Sequence, residues 1–221
     1  MKVKNINKLD AVIFDFDGVI FDTEPLWFKA SVLTIKKLNL KINKNINYKN
    51  TIGIHSNKVF EMLLNKKLDD KKLKKINTIY LKESKKIFEK KLKPFVYLRS
   101  FLKKTNAKLA IVSNSDYKFI NKLLKNADLK KYFKNGNIIS CNKNLKPKPS
   151  PDGYIYAIKR LKLKKNNTII IEDSENGISA AKKSGIKNIF RFTNNNINLS
   201  NRIQHTNIKN IKSYKELLDF K

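Results

Sequence analysis

The feature that most narrows the fold is a set of short, unbroken apolar runs: AVIF at 11–14, LAIV at 109–112 and TIII at 168–171. A strand with one face in water alternates apolar and polar residues. A run that is apolar at every position suits a strand covered on both faces, as in a parallel sheet. Parallel neighbours need crossover segments between them, and helices supply these. Strands are expected at Ala11–Phe16, Lys108–Val112, Asn137–Ser140, Thr168–Ile171 and Asn188–Phe192. Helices are expected at Val96–Lys104, Tyr117–Asn126, Asp152–Leu161, Asn176–Ser184 and Tyr214–Leu218, with Gly185 stopping the fourth.

One interval breaks this rhythm. Between the first strand and Pro94 no strand pattern occurs, while Glu24–Leu38, Lys58–Leu64 and Asp70–Lys90 place apolar residues such as Ile76, Ile79, Tyr80, Ile87 and Phe88 at helical spacing. The expected architecture is α/β: a Rossmann-like parallel sheet core, residues 1–22 and 93–221, with an inserted α-helical cap, residues 23–92. The insert is expected to cover the mouth of the sheet.

Charge suggests a different partner from the one the motifs suggest. The chain carries 49 basic and 18 acidic residues, net +31, which taken alone points to a polyanion. Only Arg99, Arg160, Arg191 and Arg202 are arginines, whereas phosphate and base recognition favours guanidinium forks. Lysine, together with 29 Asn and 27 Ile, reads as the imprint of an A/T-rich coding bias on solvated positions. Nucleic acid is not an expected partner. Cys141, the single cysteine, excludes an intrachain disulfide framework and a Cys-rich zinc site, and is expected to be structural. No apolar run reaches the roughly 18–20 residues that span a bilayer, and no signal-like apolar stretch precedes the first strand. A soluble, cytoplasmic monomer without membrane contact is expected. His205, in a polar C-terminal stretch, is expected at the surface.

The chemistry gathers where the strands end. The first runs into Asp15-Phe16-Asp17-Gly18. Carboxylates two residues apart point to one side of an extended chain. The carboxyl end of a strand is where open α/β sheets bind ligands, and hard carboxylate oxygens suit Mg²⁺. Gly18 lets the turn pass close to a ligand and exposes backbone N–H groups. By itself this pair is also a plain turn. The second strand ends in Ser113-Asn114-Ser115, either a phosphate-directed hydroxyl or a helix cap. Lys146-Pro147-Lys148-Pro149-Ser150-Pro151-Asp152 holds a lysine on a stiff segment, with Ser150 or Asp152 as candidate caps for the next helix. The fourth strand ends in Glu172-Asp173-Ser174, followed by Gly177. In so basic a chain, two acids directly after a buried run make either a structural ion pair or a carboxylate cluster that needs a cation.

In this order, DFDGV at 15–19, SNS at 113–115, KPSPD at 148–152 and EDSENG at 172–177 resemble the four motifs of the haloacid dehalogenase superfamily of phosphohydrolases. The helical insert resembles the cap of the branch that holds β-phosphoglucomutase and small sugar-phosphate phosphatases. The resemblance implies that Asp15 is the nucleophile and Asp17 the general acid and base. It implies that Ser113 and Lys148 bind the phosphoryl oxygens, with Gly18 and Asn114 also at the phosphate. It further implies Mg²⁺ held by Asp15, Asp173 and the Asp17 carbonyl, with Glu172 ligating directly or through water. Lys148, not Lys146, matches the pattern.

Within the insert, DTEPLW at 22–27 places Trp27 where the mutase pattern has a histidine. The mutase Gly-x-x-Arg reads Gly53-Ile54-His55-Ser56, without the arginine that would hold a second phosphate. Trp27 and His55 are therefore candidate substrate-choosing residues, and a packed core tryptophan is the alternative for Trp27. Pro94-Phe95 replaces the usual Pro-Gly of the linker. The expectation is a Mg²⁺-dependent phosphatase acting on a small phosphorylated metabolite, a sugar phosphate first. The alternatives are a phosphosugar mutase and a phosphatase of phosphoglycolate or of nucleotide monophosphates.

Overall fold

β1 (Ala11–Phe14) is apolar throughout because all four of its residues are fully buried. The computed structural model, which describes residues 9–134, 136–142, 144–193 and 208–218, sets this strand inside a six-stranded sheet ordered β3-β2-β1-β4-β5-β6. His205 lies outside the described residues. The other strands are β2 (Lys108–Ser113), β3 (Ile138–Ser140), β4 (Thr168–Glu172), β5 (Asn188–Phe192) and β6 (Lys209–Ile211). Every pairing is parallel. From β1 the chain builds outward through β2 and β3 on one side, then through β4, β5 and β6 on the other. The order therefore reverses beside β1, and the crevice at such a switch point is where open α/β sheets take ligands. Phe14 is level with Ile171, so the residue after β1 stands beside the end of β4.

Side chains alternate across β1. Ala11 and Ile13 face a cluster that includes Tyr154, Ala157 and Ile158 of α6 (Asp152–Leu161) and Ala180 and Ala181 of α7 (Glu175–Lys183). On the other face Phe14 meets Phe101 of α4 (Leu98–Lys104), Phe133, and Tyr214 of α8 (Tyr214–Leu218), with ring centroids 6.2, 6.0 and 6.3 Å away. The Tyr214 hydroxyl donates to the Val19 carbonyl at 2.9 Å, tying the last helix to the loop after β1. The remaining helix of this unit, α5 (Tyr117–Asn126), follows β2.

The chain divides into two compact units, Met1–Phe21 with Leu92–Lys221, and Asp22–Lys91. The second is helical: α1 (Glu24–Lys37), α2 (Ser56–Leu64) and α3 (Asp70–Ile87). Ile35, Val59, Phe60, Leu63 and Ile76 form its own apolar core, and Lys37 pairs with the mostly buried Glu83 at 2.7 Å.

Several boundaries differ from expectation for identifiable reasons. β1 ends at Phe14 rather than Phe16, because the chain turns there: Ile20 N donates to Phe16 O and Gly18 N to Phe21 O, both at 2.9 Å, with Gly18 at φ +71°. Asp15 and Asp17 are thus not two like-facing positions of one extended strand. α4 starts at Leu98 because Tyr97 sits at φ +65°. α2 starts at Ser56 because the His55 imidazole caps it, Nδ1 accepting from Asn57 N at 3.3 Å. α5 is capped by Asp116, not by the Ser-Asn pair. Neither Ser150 nor Asp152 caps α6; the two bond to each other at 2.7 Å. β6, with sequence KNI, was not foreseen, since two of its three residues are exposed at the sheet edge and no apolar run marks it.

Phe14 is the shared partner of the aromatic layer. Phe14→Ala should destabilise the protein by ~3–5 kcal/mol, read as a lower denaturant midpoint. Tyr214→Phe, which removes one buried hydrogen bond, should cost only ~1 kcal/mol.

Candidate active site

Lys148 is the buried cation at the carboxyl end of the sheet. Its Nζ lies 2.6 Å from Asp15 Oδ1 and 2.5 Å from Glu172 Oε1, and its side chain is 5% exposed. Burial alone would lower the lysine's pKa, but the Asp15 and Glu172 carboxylates overcome it and hold the pKa well above the usual range. The ammonium therefore stays charged. Asn114, after β2, fixes the backbone beneath it: Oδ1 accepts from Lys148 N at 2.9 Å and Nδ2 donates to Lys148 O at 3.4 Å. Asn114 was expected at the phosphate. The structure instead directs its amide to the lysine segment.

Glu172, the last residue of β4, is completely buried and richly bonded. Oε1 accepts from Lys148 Nζ and from Tyr154 OH at 2.8 Å. Oε2 accepts from Asp173 N at 3.1 Å, Ser174 N at 3.3 Å and Ser174 Oγ at 3.2 Å. Ser174 caps α7, its Oγ accepting from Gly177 N at 3.0 Å. A Cβ on Gly177 would fall inside the Glu172 carboxylate, so glycine is required there by space. Gly18 plays the same part for Asp173, since a Cβ on it would overlap that carboxylate. Its own N–H donates to Phe21 O, so the N–H expected to face phosphate is used within the turn.

Asp15 follows β1 and keeps the ladder, its N–H donating to Ile171 O at 2.9 Å. Burial pushes its carboxyl up to about 8, against the pull of the Lys148 ammonium and aided by the charges of Glu172 and Asp17. Asp17 accepts a short 2.5 Å hydrogen bond from Ser115 Oγ. Ser113 is buried at the end of β2; its Oγ accepts from Ser115 N at 3.0 Å, leaving the hydroxyl proton to donate.

Asp15, Glu172 and Asp173 each bring a carboxylate oxygen within 4.8 Å of the others. An all-oxygen, buried cluster fits a hard divalent cation such as Mg²⁺. Asp15 and Asp173 are the better-suited ligands, because both oxygens of Glu172 already accept protein hydrogen bonds.

Asp15, Asp17, Ser113, Lys148 and Asp173 thus lie together at the carboxyl ends of β1, β2 and β4, with Asn114 and Glu172 beside them. Trp27 packs within the helical unit, 4.4 Å from the Phe88 ring and 6.1 Å from Tyr80. His55 is an exposed helix cap. Lys146 is exposed, with its backbone N–H on Asp152. Cys141 is buried against Gly153, where burial pushes its thiol up to about 11. Ser115 and Tyr154 were not singled out as site residues. Ser115 lies inside the quoted Ser-Asn-Ser motif, so a signal was present. Tyr154 looks in sequence like any apolar position of α6.

Comparisons with known proteins agree with this geometry. The sequence model described as "Haloacid dehalogenase-like hydrolase" matches residues 12–190. A phosphorylated carbohydrates phosphatase of Thermotoga maritima is 28% identical over 186 residues, 82% of this chain and 84% of its own. A phosphoglycolate phosphatase of Aquifex aeolicus is 27% identical over 176 residues, 80% of this chain and 81% of its own. The fold matches that of a HAD hydrolase, family IA, variant 3, from Entamoeba histolytica, with TM-score 0.80 and 22% identity, covering 94% of this chain and 95% of that one.

Gly177 gives a test of sign. Replacing glycine by alanine inside a helix ordinarily stabilises by ~1 kcal/mol. Here Gly177→Ala should destabilise by at least about that amount, because Glu172 must move. A raised thermal midpoint would show that the carboxylate is not seated over this turn.

Proposed function

The chain belongs to the haloacid dehalogenase-like hydrolase family, and we propose that it is a Mg²⁺-dependent phosphatase that hydrolyses a small phosphorylated metabolite, a sugar phosphate first, through an aspartyl-phosphate. The observation that carries this reading is the buried Lys148 ammonium between Asp15 and Glu172, beside Asp173, at the switch point of the sheet.

Asp15 acts as the nucleophile: its carboxylate oxygen bonds to phosphorus as the bond to the leaving oxygen breaks. Asp17 gives that oxygen its proton, then takes one from the water that cleaves the aspartyl-phosphate and releases phosphate. The Ser115 hydrogen bond favours one orientation of the Asp17 carboxyl. Lys148 and the Ser113 hydroxyl meet the phosphoryl oxygens as charge develops on them. Asp15, Asp173 and the Asp17 carbonyl would hold the cation, which would supply positive charge to offset that of the phosphoryl group and the carboxylates.

The carbohydrate and phosphoglycolate phosphatases among the relatives support a small organic phosphate. A mutase is disfavoured because Ser56 stands where an arginine would hold a second phosphate. Trp27 and His55 are the proposed substrate-choosing residues of the helical unit. No helix among the described residues is long and apolar enough to cross a membrane.

Phosphate release from a panel of sugar monophosphates, phosphoglycolate and nucleotide monophosphates tests the reading. Asp15→Asn should lower turnover by at least about a thousandfold while the fold persists. Retention of about a tenth of wild-type activity would exclude Asp15 as nucleophile. EDTA should abolish hydrolysis, and added Mg²⁺ should raise the thermal midpoint of the wild type but not of Asp173→Ala. Undiminished turnover in metal-free buffer would remove the cation from the scheme.

A further inference from the structure

We propose that Tyr154 is a positioning residue for phosphoryl transfer, acting through Glu172 to hold the Lys148 ammonium in place. The inference rests on the phosphatase reading above and adds to it a residue of the first turn of α6, two positions after the KPSPD segment and outside the residues assigned to the site. Tyr154 is fully buried in α6, in the layer beneath the site. Its hydroxyl donates to Glu172 Oε1 at 2.8 Å, the same oxygen that accepts from Lys148 Nζ. Its ring lies 5.0 Å from that ammonium, within the range at which an aromatic face attracts a cation. A phenol hydroxyl carries its proton at neutral pH, so it donates to the carboxylate.

The arrangement leaves Glu172 little freedom. Backbone N–H groups and Ser174 fix Oε2, Gly177 makes room for the carboxylate, and Tyr154 fixes Oε1. Lysine is a flexible point charge on four methylenes, and its direction must be set from outside. Without the tyrosine hydroxyl, Oε1 keeps the lysine but loses the donor that sets its own angle. The ammonium can then follow Glu172 away from the position where phosphoryl charge develops. Glu172 serves here as the lysine's anchor, so loss of the Tyr154 hydroxyl should leave cation binding alone.

The test is Tyr154→Phe, which keeps the ring and its volume. Turnover and KM are measured with p-nitrophenyl phosphate and Mg²⁺, and Mg²⁺ affinity by calorimetry. The expected result is a kcat loss of roughly ten- to a hundredfold, in line with one hydrogen bond to a charged group, with KM and Mg²⁺ affinity within about twofold of wild type. In a Glu172→Gln background the same replacement should add less than about a twofold further loss, since both changes act on one linkage. An unchanged kcat overturns the proposal. So does an equal loss in both backgrounds, or a fall in Mg²⁺ affinity that matches the fall in kcat, which would make Glu172 a cation ligand. A wild type inert toward every phosphomonoester tried would overturn the phosphatase reading itself. A wild type that hydrolyses while Tyr154→Phe is silent overturns this inference alone.

Discussion

A single buried ammonium holds the chemistry of this protein together. Lys148 lies between carboxylates that follow β1 and end β4, on a segment whose backbone is held by Asn114 beyond β2. The ends of β1 and β4 meet through its side chain, and the segment after β2 meets its backbone. Burying a charge is unfavourable, and removing one partner of a buried ion pair typically costs ~3–5 kcal/mol. The pair persists here because Glu172 is fully bonded on its other sides, so the lysine meets a fixed carboxylate.

That fixity has a steric origin. Gly18 and Gly177 are the places where a carboxylate passes so close to the backbone that no side chain fits. One admits Asp173 to the turn after β1, and the other admits Glu172 to the first turn of α7. Burial, before the neighbouring carboxylates, holds the Asp15 carboxyl up, and three carboxylates brought within 4.8 Å of one another make a cation the natural complement. Beneath it lies a conventional sheet core, with aliphatic packing on one face and rings on the other.

Most of the sheet was legible because buried parallel strands leave continuous apolar runs, and AVIF, LAIV and TIII are such runs. β6 was not, because an edge strand with exposed Lys209 and Asn210 carries no apolar run. The helices of the insert were visible by period, and helix ends moved where capping decided: His55 extended α2 in the insert, and the left-handed Tyr97 shortened α4 in the sheet unit. Asp15, Asp17, Lys148 and Asp173 could be picked out as candidates because the motifs keep their order and composition. Tyr154 was not, because its hydroxyl is meaningful only beside Glu172, eighteen positions away in sequence.

The sequence by itself determined the parallel α/β core, the helical insert and the strand-end residues, since hydrophobic period and local residue order are properties of neighbours along the chain. Tertiary structure decided what those residues do to one another. It turned Asn114 toward the Lys148 backbone, used the Gly18 N–H within its own turn, and gave Glu172 five donors from four residues. Hydrogen bonding and burial act between groups brought together in space, and strand order, rather than sequence distance, sets which groups those are.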